Sequence, residues 1–133
     1  LTVYRKAHFN AAHRLFKSEW SDEKNLEIFG KCSNPNYHGH NYELEVGITG
    51  KIDPETGFVI DLKLLKDLIR NEVELPFDHK NLNIEVPEFK DLNPTVENIA
   101  KVIYQKLRAK LDSSFQITIK LYETPRNFVI YTE

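Results

Sequence analysis

The sequence is short of cysteine, of glycine-rich motifs, of long apolar runs and of surplus charge, and each shortage removes a class of protein. Its single cysteine, Cys32, cannot form an internal disulfide, so the chain is expected in a reducing compartment or keeps a free thiol for use. No run approaches the roughly 20 apolar residues of a membrane span. The opening Leu1-Thr2-Val3-Tyr4-Arg5-Lys6 has no apolar signal core, and a cytoplasmic protein without membrane contact is expected. The formal net charge of −2 lacks the basic excess of a nucleic-acid binder. There are no solenoid-type repeats, no low-complexity linkers and no glycine-rich dinucleotide motif. With 41% hydrophobic and 29% charged residues over 133 positions, the composition fits one globular domain, residues 1–133.

What is present gathers between Cys32 and Tyr42, a stretch that holds the lone cysteine and two of the five histidines. His38 and His40 are separated by one glycine, ahead of a segment where Tyr42, Leu44, Val46 and Ile48 alternate with polar or small residues. Strand side chains repeat every two residues, so both imidazoles share the apolar face with Cβ atoms roughly 7 Å apart. Two imidazoles so placed can reach one metal ion, and zinc suits a three-histidine set with an open fourth position. His13 is the natural third ligand, because Val3, Ala7, Phe9 and Ala11 give it the apolar parity of the first strand; His8 has the opposite parity and is expected outside.

Cys32 could complete a closed metal site or act as a thiolate base, and Asp78-His79 offers a carboxylate that could orient an imidazole. Glu123 continues the apolar parity of Phe115, Ile117, Ile119 and Leu121. Glu123 either lies at the rim in water or points inward, and an inward carboxylate needs a partner, for which a planar, guanidine-like heterocycle edge would satisfy both oxygens. Thr95 and Glu97 open a helical pattern, where capping and the helix dipole explain them.

The pattern predicts strands over 2–13 and 42–49, a polar irregular connection over 14–31 with its loop tip at 21–25, and a short strand at 58–60. A helix follows Asp61 and stops at Pro76. A second follows Asn93, with Pro94 in its first turn, and strands at 115–121 and 128–132 close the chain. The expected fold is α+β, a β-β-α-α-β-β arrangement of one four-stranded antiparallel sheet with two helices on one face. Its open edges suggest that sheets join on oligomerisation.

Phe9-Asn10-Ala11-Ala12-His13-Arg14-Leu15, the run Cys32 to Tyr42, Leu75-Pro76-Phe77-Asp78-His79-Lys80-Asn81-Leu82, Thr95-Val96-Glu97-Asn98 and Tyr122-Glu123-Thr124 together resemble the 6-pyruvoyltetrahydropterin synthase family, in order along essentially the whole chain. The resemblance implies the tunnelling fold, with sheets closed into a barrel in a homohexamer built as a dimer of trimers. It implies zinc on His13, His38 and His40, proton transfer by Cys32, Asp78 and His79, and a pterin anchored by Glu123 with Thr95 and Glu97 nearby. The implied reaction converts 7,8-dihydroneopterin triphosphate to 6-pyruvoyltetrahydropterin with loss of triphosphate, for which Lys31, Lys80 and Arg126 are candidate cations. The related 6-carboxytetrahydropterin synthases tend to a shorter spacing than the five residues between Cys32 and His38. A structural zinc protein closed by Cys32 is the reading of another class. Tyr37 departs from the family, which commonly has a smaller residue there, and is expected to reshape the mouth of the site.

Overall fold

The computed structural model describes residues 1–133. Strand β1 (Thr2–His13) pairs antiparallel with β2 (His38–Thr49) along its whole length, from Thr2 opposite Thr49 to His13 opposite His38. β2 begins four residues before the predicted strand, so both histidines of the His-Gly-His run are strand residues. β4 (Gln116–Tyr122) pairs antiparallel with β2, and β5 (Phe128–Tyr131) with β4. The sheet nevertheless has five strands and is mixed. A two-residue strand, β3 (Lys80–Asn81), lies parallel to β1 at Ala11 and Ala12, giving the order β3-β1-β2-β4-β5. Two residues carry no readable alternation, which is why the sequence showed four strands.

Alternating side chains explain the layering. Phe9, Ala11, Tyr42, Leu44, Val46, Ile117, Ile119 and Leu121 are buried on one face, where the helices pack. Helix α5 (Val96–Arg108) contributes Ile99, Ile103 and Leu107 at helical spacing, all fully buried. Each such side chain is worth about 1.5–3 kcal/mol on leaving water. The other face carries Lys6, Glu45 and Lys120 as a cross-strand row of alternating charge.

Four local expectations change. Residues 22–29 form helix α1 (Asp22–Phe29), not a loop tip, capped by Ser21 and fastened by buried Asn25, whose side chain bonds to Lys17, Trp20 and Ser21 backbone. Residues 58–60 form no strand; Val59 and Ile60 are both buried in the irregular approach to the next helix. Helix α2 (Leu62–Ile69) passes through a widened π turn, Arg70–Glu74, into α3 (Leu75–Phe77), so the helical path runs one residue beyond Pro76. The widened turn lies where a proline ring would otherwise crowd the carbonyl four residues earlier. A short helix α4 (Leu82–Glu85) follows, and Pro94 precedes the cap of α5 instead of lying in its first turn.

Candidate active site

His13 and His38 are directly opposite in the β1–β2 register, and His40 follows two residues along the same face. The three imidazoles therefore meet at the end of the apolar core, above the fully buried ring of Tyr42, which stacks on Phe9. One ring nitrogen from each lies within 4.8 Å of the others. His13 Nε2 and His38 Nε2 are 3.0 Å apart.

The hydrogen bonds fix which atoms face inward. His13 Nδ1 lies 2.8 Å from the Pro94 carbonyl, which can only accept, so Nδ1 carries the proton and Nε2 offers a lone pair. His40 Nε2 and His38 Nδ1 are buried without any hydrogen-bond partner. An orphaned imidazole nitrogen beside two others is costly unless a ligand satisfies it. The donor set fits a metal ion held by His13, His38 and His40. Cys32 is not among its members.

Burial lowers the His13 pKa to about 4, with His38 and His40 pushing the same way and the Pro94 bond opposing, and burial also lowers that of His40. Both are thus neutral, the form that binds metal. Between about pH 4 and the ordinary value of 6.5 the unfolded chain binds the extra proton at His13, so native stability is complete above that window and falls as pH drops through it. The expected slope from this one residue is at most about 1.4 kcal/mol per pH unit. Urea titrations of chelator-treated protein should give midpoints that hold steady above about pH 6.5 and decline below it; a midpoint constant down to about pH 4.5 would show that His13 titrates as in water.

Glu123 follows β4, and its Oε2 is 3.9 Å from His13 Nε2 with the side chain 22% exposed. It sits at the rim, not in the sealed core. A cavity of about 590 Å³ opens beside His40 and Glu123, lined also by Tyr122 and by Lys6, Asn41, Glu43 and Glu45 of the outer sheet face, a size suited to a small heterocycle. A larger one, about 690 Å³, lies by Arg14, Lys31 and Ser33 and includes none of the three histidines. Of the three histidines only His40 lines either cavity, so the 590 Å³ one, which also reaches Glu123, is the better candidate site.

Cys32 is half-buried in a tight turn, Gly30–Ser33, that the end of β1 holds in place. Leu15 N–H donates to the Cys32 carbonyl at 2.8 Å, and Arg14 Nε–H to that of Ser33 at 2.8 Å. Gly30 allows the sharp exit from α1 with φ 58 and ψ −136, a conformation nearly confined to glycine. The Tyr42 phenol is pushed up by burial first, with the Glu123 carboxylate adding to it.

Asp78 and His79 form a pair elsewhere. Asp78 Oδ2 is 2.9 Å from His79 Nδ1, Asp78 Oδ1 accepts from Asn10 N–H at 2.8 Å, and His79 N–H donates to the Asn10 carbonyl at 2.6 Å. The Asn10 N–H chiefly, with His79, holds the Asp78 carboxyl below the usual range. His79 is 83% exposed, and no hydrogen bond joins the pair to Cys32. Thr95 caps α5 by accepting from Asn98 N–H, and Glu97 is exposed in its first turn. Lys31, Lys80 and Arg126 are exposed and spread apart along the chain, and His8 is exposed as expected. Tyr37 lines a separate cavity of about 330 Å³ with Phe16 and Phe89. Sequence reasoning passed over Tyr42, Asn93, Pro94 and Asn98, although Tyr42 shares the parity of the two histidines.

A mixed sheet backed by helices, with three inward imidazoles at the end of its core and a carboxylate at their rim, defines an α+β protein with a residue group that could hold a metal ion. The chain belongs to the 6-pyruvoyl tetrahydropterin synthase family, whose profile matches residues 2–133. It is 47% identical to the 6-pyruvoyl tetrahydrobiopterin synthase of Pongo abelii over 129 residues, 97% of this chain and 89% of that protein. The 6-carboxy-5,6,7,8-tetrahydropterin synthase of Rickettsia conorii is more distant, 32% identical with 94% and 95% covered. The structure of Caenorhabditis elegans 6-pyruvoyl tetrahydropterin synthase superposes with a TM-score of 0.94 at 38% identity, covering 100% of this chain and 95% of that one.

Proposed function

We propose that the chain is a zinc-dependent 6-pyruvoyltetrahydropterin synthase, converting 7,8-dihydroneopterin triphosphate to 6-pyruvoyltetrahydropterin and triphosphate. The observation that carries this is the meeting of His13, His38 and His40 within 4.8 Å, with Glu123 beside them, in a chain so similar to proteins of that name. Bound zinc supplies Lewis-acid polarisation of the substrate's side-chain oxygens. Glu123 accepts ring N–H hydrogens with both oxygens and so orients the pterin. Thr95 accepts through Oγ1 and keeps its own hydrogen to donate, one residue from the carbonyl that holds His13; Glu97 follows two residues on, in the first turn of α5. Cys32 Sγ takes a substrate side-chain proton, and His79, oriented by Asp78, exchanges a proton at Nε2. Loss of triphosphate and tautomerisation move oxidation from side chain to ring, so no external redox partner is consumed.

His79 is exposed and unlinked to Cys32 in one chain. A homohexamer, dimer of trimers, in which sheets pair through the outer edge of β5 and the part of the β1 edge that β3 leaves uncovered, would bring copies of the two elements together. No helix is long and apolar enough to cross a membrane; a cytoplasmic setting, supported by the free thiol of Cys32, belongs to the same proposal.

Incubation of zinc-loaded protein with 7,8-dihydroneopterin triphosphate should release triphosphate while the three-carbon side chain stays on the ring. Release of a two-carbon aldehyde instead would transfer the reading to 6-carboxytetrahydropterin synthase, and an unchanged substrate would overturn both.

A further inference from the structure

The bond between His13 and Pro94 crosses 81 residues of sequence and joins the end of β1 to the start of α5. Pro94 is buried and its ring fixes φ, so the direction of its carbonyl depends on the residues either side. Those residues are held with unusual completeness. The Asn93 carbonyl accepts from both Thr95 N–H at 2.8 Å and Asn98 Nδ2–H at 2.9 Å. Asn93 Oδ1 accepts from Phe16 N–H at 3.2 Å, three residues beyond His13. Asn98 in turn receives the Thr95 cap on its own N–H. The Asn98 side chain is the side-chain group that, beside the Thr95 N–H of the cap, ties the helix start to the peptide unit leading into Pro94.

We infer that Asn98 is a positioning residue for the metal group: through Asn93 it aims the Pro94 carbonyl at His13 Nδ1–H, which presents Nε2 as the ligand atom. The inference rests on His13, His38 and His40 being the metal ligands. A ligating histidine is oriented, and its tautomer chosen, by the bond its other nitrogen makes. Here that bond is to a main-chain carbonyl, so the tuning residue is one that never touches the metal or the imidazole. Helix α5 thereby has two outputs, an apolar stripe into the core and a carbonyl aimed at the site.

Two variants separate positioning from packing. Asn98→Asp keeps the side-chain shape and suits a helix first turn, but has no N–H to give the Asn93 carbonyl. Asn98→Ala removes shape and donor together. Zinc affinity, measured by competition with a chromogenic chelator, should fall at least about tenfold in both. Imidazole nitrogen NMR shifts of the metal-free protein should show His13 as the Nδ1–H tautomer in the parent and a mixture in both variants. Zinc affinity within about twofold of the parent, with the tautomer retained, overturns the inference. Wild-type behaviour of Asn98→Asp alone, with loss in Asn98→Ala, also overturns it, because packing would then suffice. A parent protein that binds no zinc while the tautomer shifts follow the expectation would sink the metal assignment and leave the positioning of His13 standing.

Discussion

His40→Ala is expected to yield a folded protein that retains no zinc and has lost at least about a thousandfold in pterin-converting activity. The size follows from what is removed. A metal ion supplies several kcal/mol of charge stabilisation, and about 1.4 kcal/mol corresponds to each tenfold in rate. The structure also says why the fold should survive. His40 Nε2 is buried with no hydrogen-bond partner, so its loss removes an unmet polar group as well as some packing. Metal-free wild type and variant should unfold within about 1 kcal/mol of each other. Zinc content by mass spectrometry, denaturant midpoint and product formation together test this. A variant that keeps full zinc and activity would end the three-histidine assignment.

Cys32→Ala is expected to behave in the opposite way, keeping zinc and losing activity by about 10²–10⁴-fold, the range for removal of a positioned proton-transfer group. Cys32 lies outside the cluster of ligand atoms and is carried by a turn fastened to Arg14 and Leu15, so its side chain can go without loosening the histidines. If zinc leaves with the thiol, Cys32 is a ligand and the site is closed and structural. Metal retention with undiminished turnover would instead strike the thiolate from the mechanism.

The parts of this site that were legible in sequence are those ruled by a period of two. Phe9, Ala11 and His13 on β1, and His38, His40 and Tyr42 on β2, share the apolar face because a half-buried strand leaves no other choice. Parity also brought Glu123 to the same end of the sheet. It could not say that Pro94, from a helix start 81 residues away, would complete the surroundings of His13. Nor could periodicity find α1, whose buried residue is Asn25 while Leu26 and Ile28 are exposed. Its amphipathic signal is reversed, because it packs through a side-chain amide and not through an apolar stripe. The Asp78-His79 pair was visible as a dipeptide, but its anchorage to Asn10 depends on a two-residue parallel strand too short for any pattern. The family resemblance named residues for these positions; the structure supplied the separation between that pair and Cys32.

Tyr37 holds φ at 65 immediately before the first histidine of β2. A tyrosine in the left-handed region costs roughly 1–2 kcal/mol that glycine would not; here its N–H donates to the Asn34 carbonyl at 3.0 Å, and the half-buried residue lines a cavity shared with Phe16 and Phe89. The entrance to the ligand strand is thus under backbone tension, set by what surrounds Tyr37. Its set point lies in a cavity other than the one bearing His40 and Glu123. Replacing Tyr37 by glycine would relieve that tension beside His38 without altering any group at the metal.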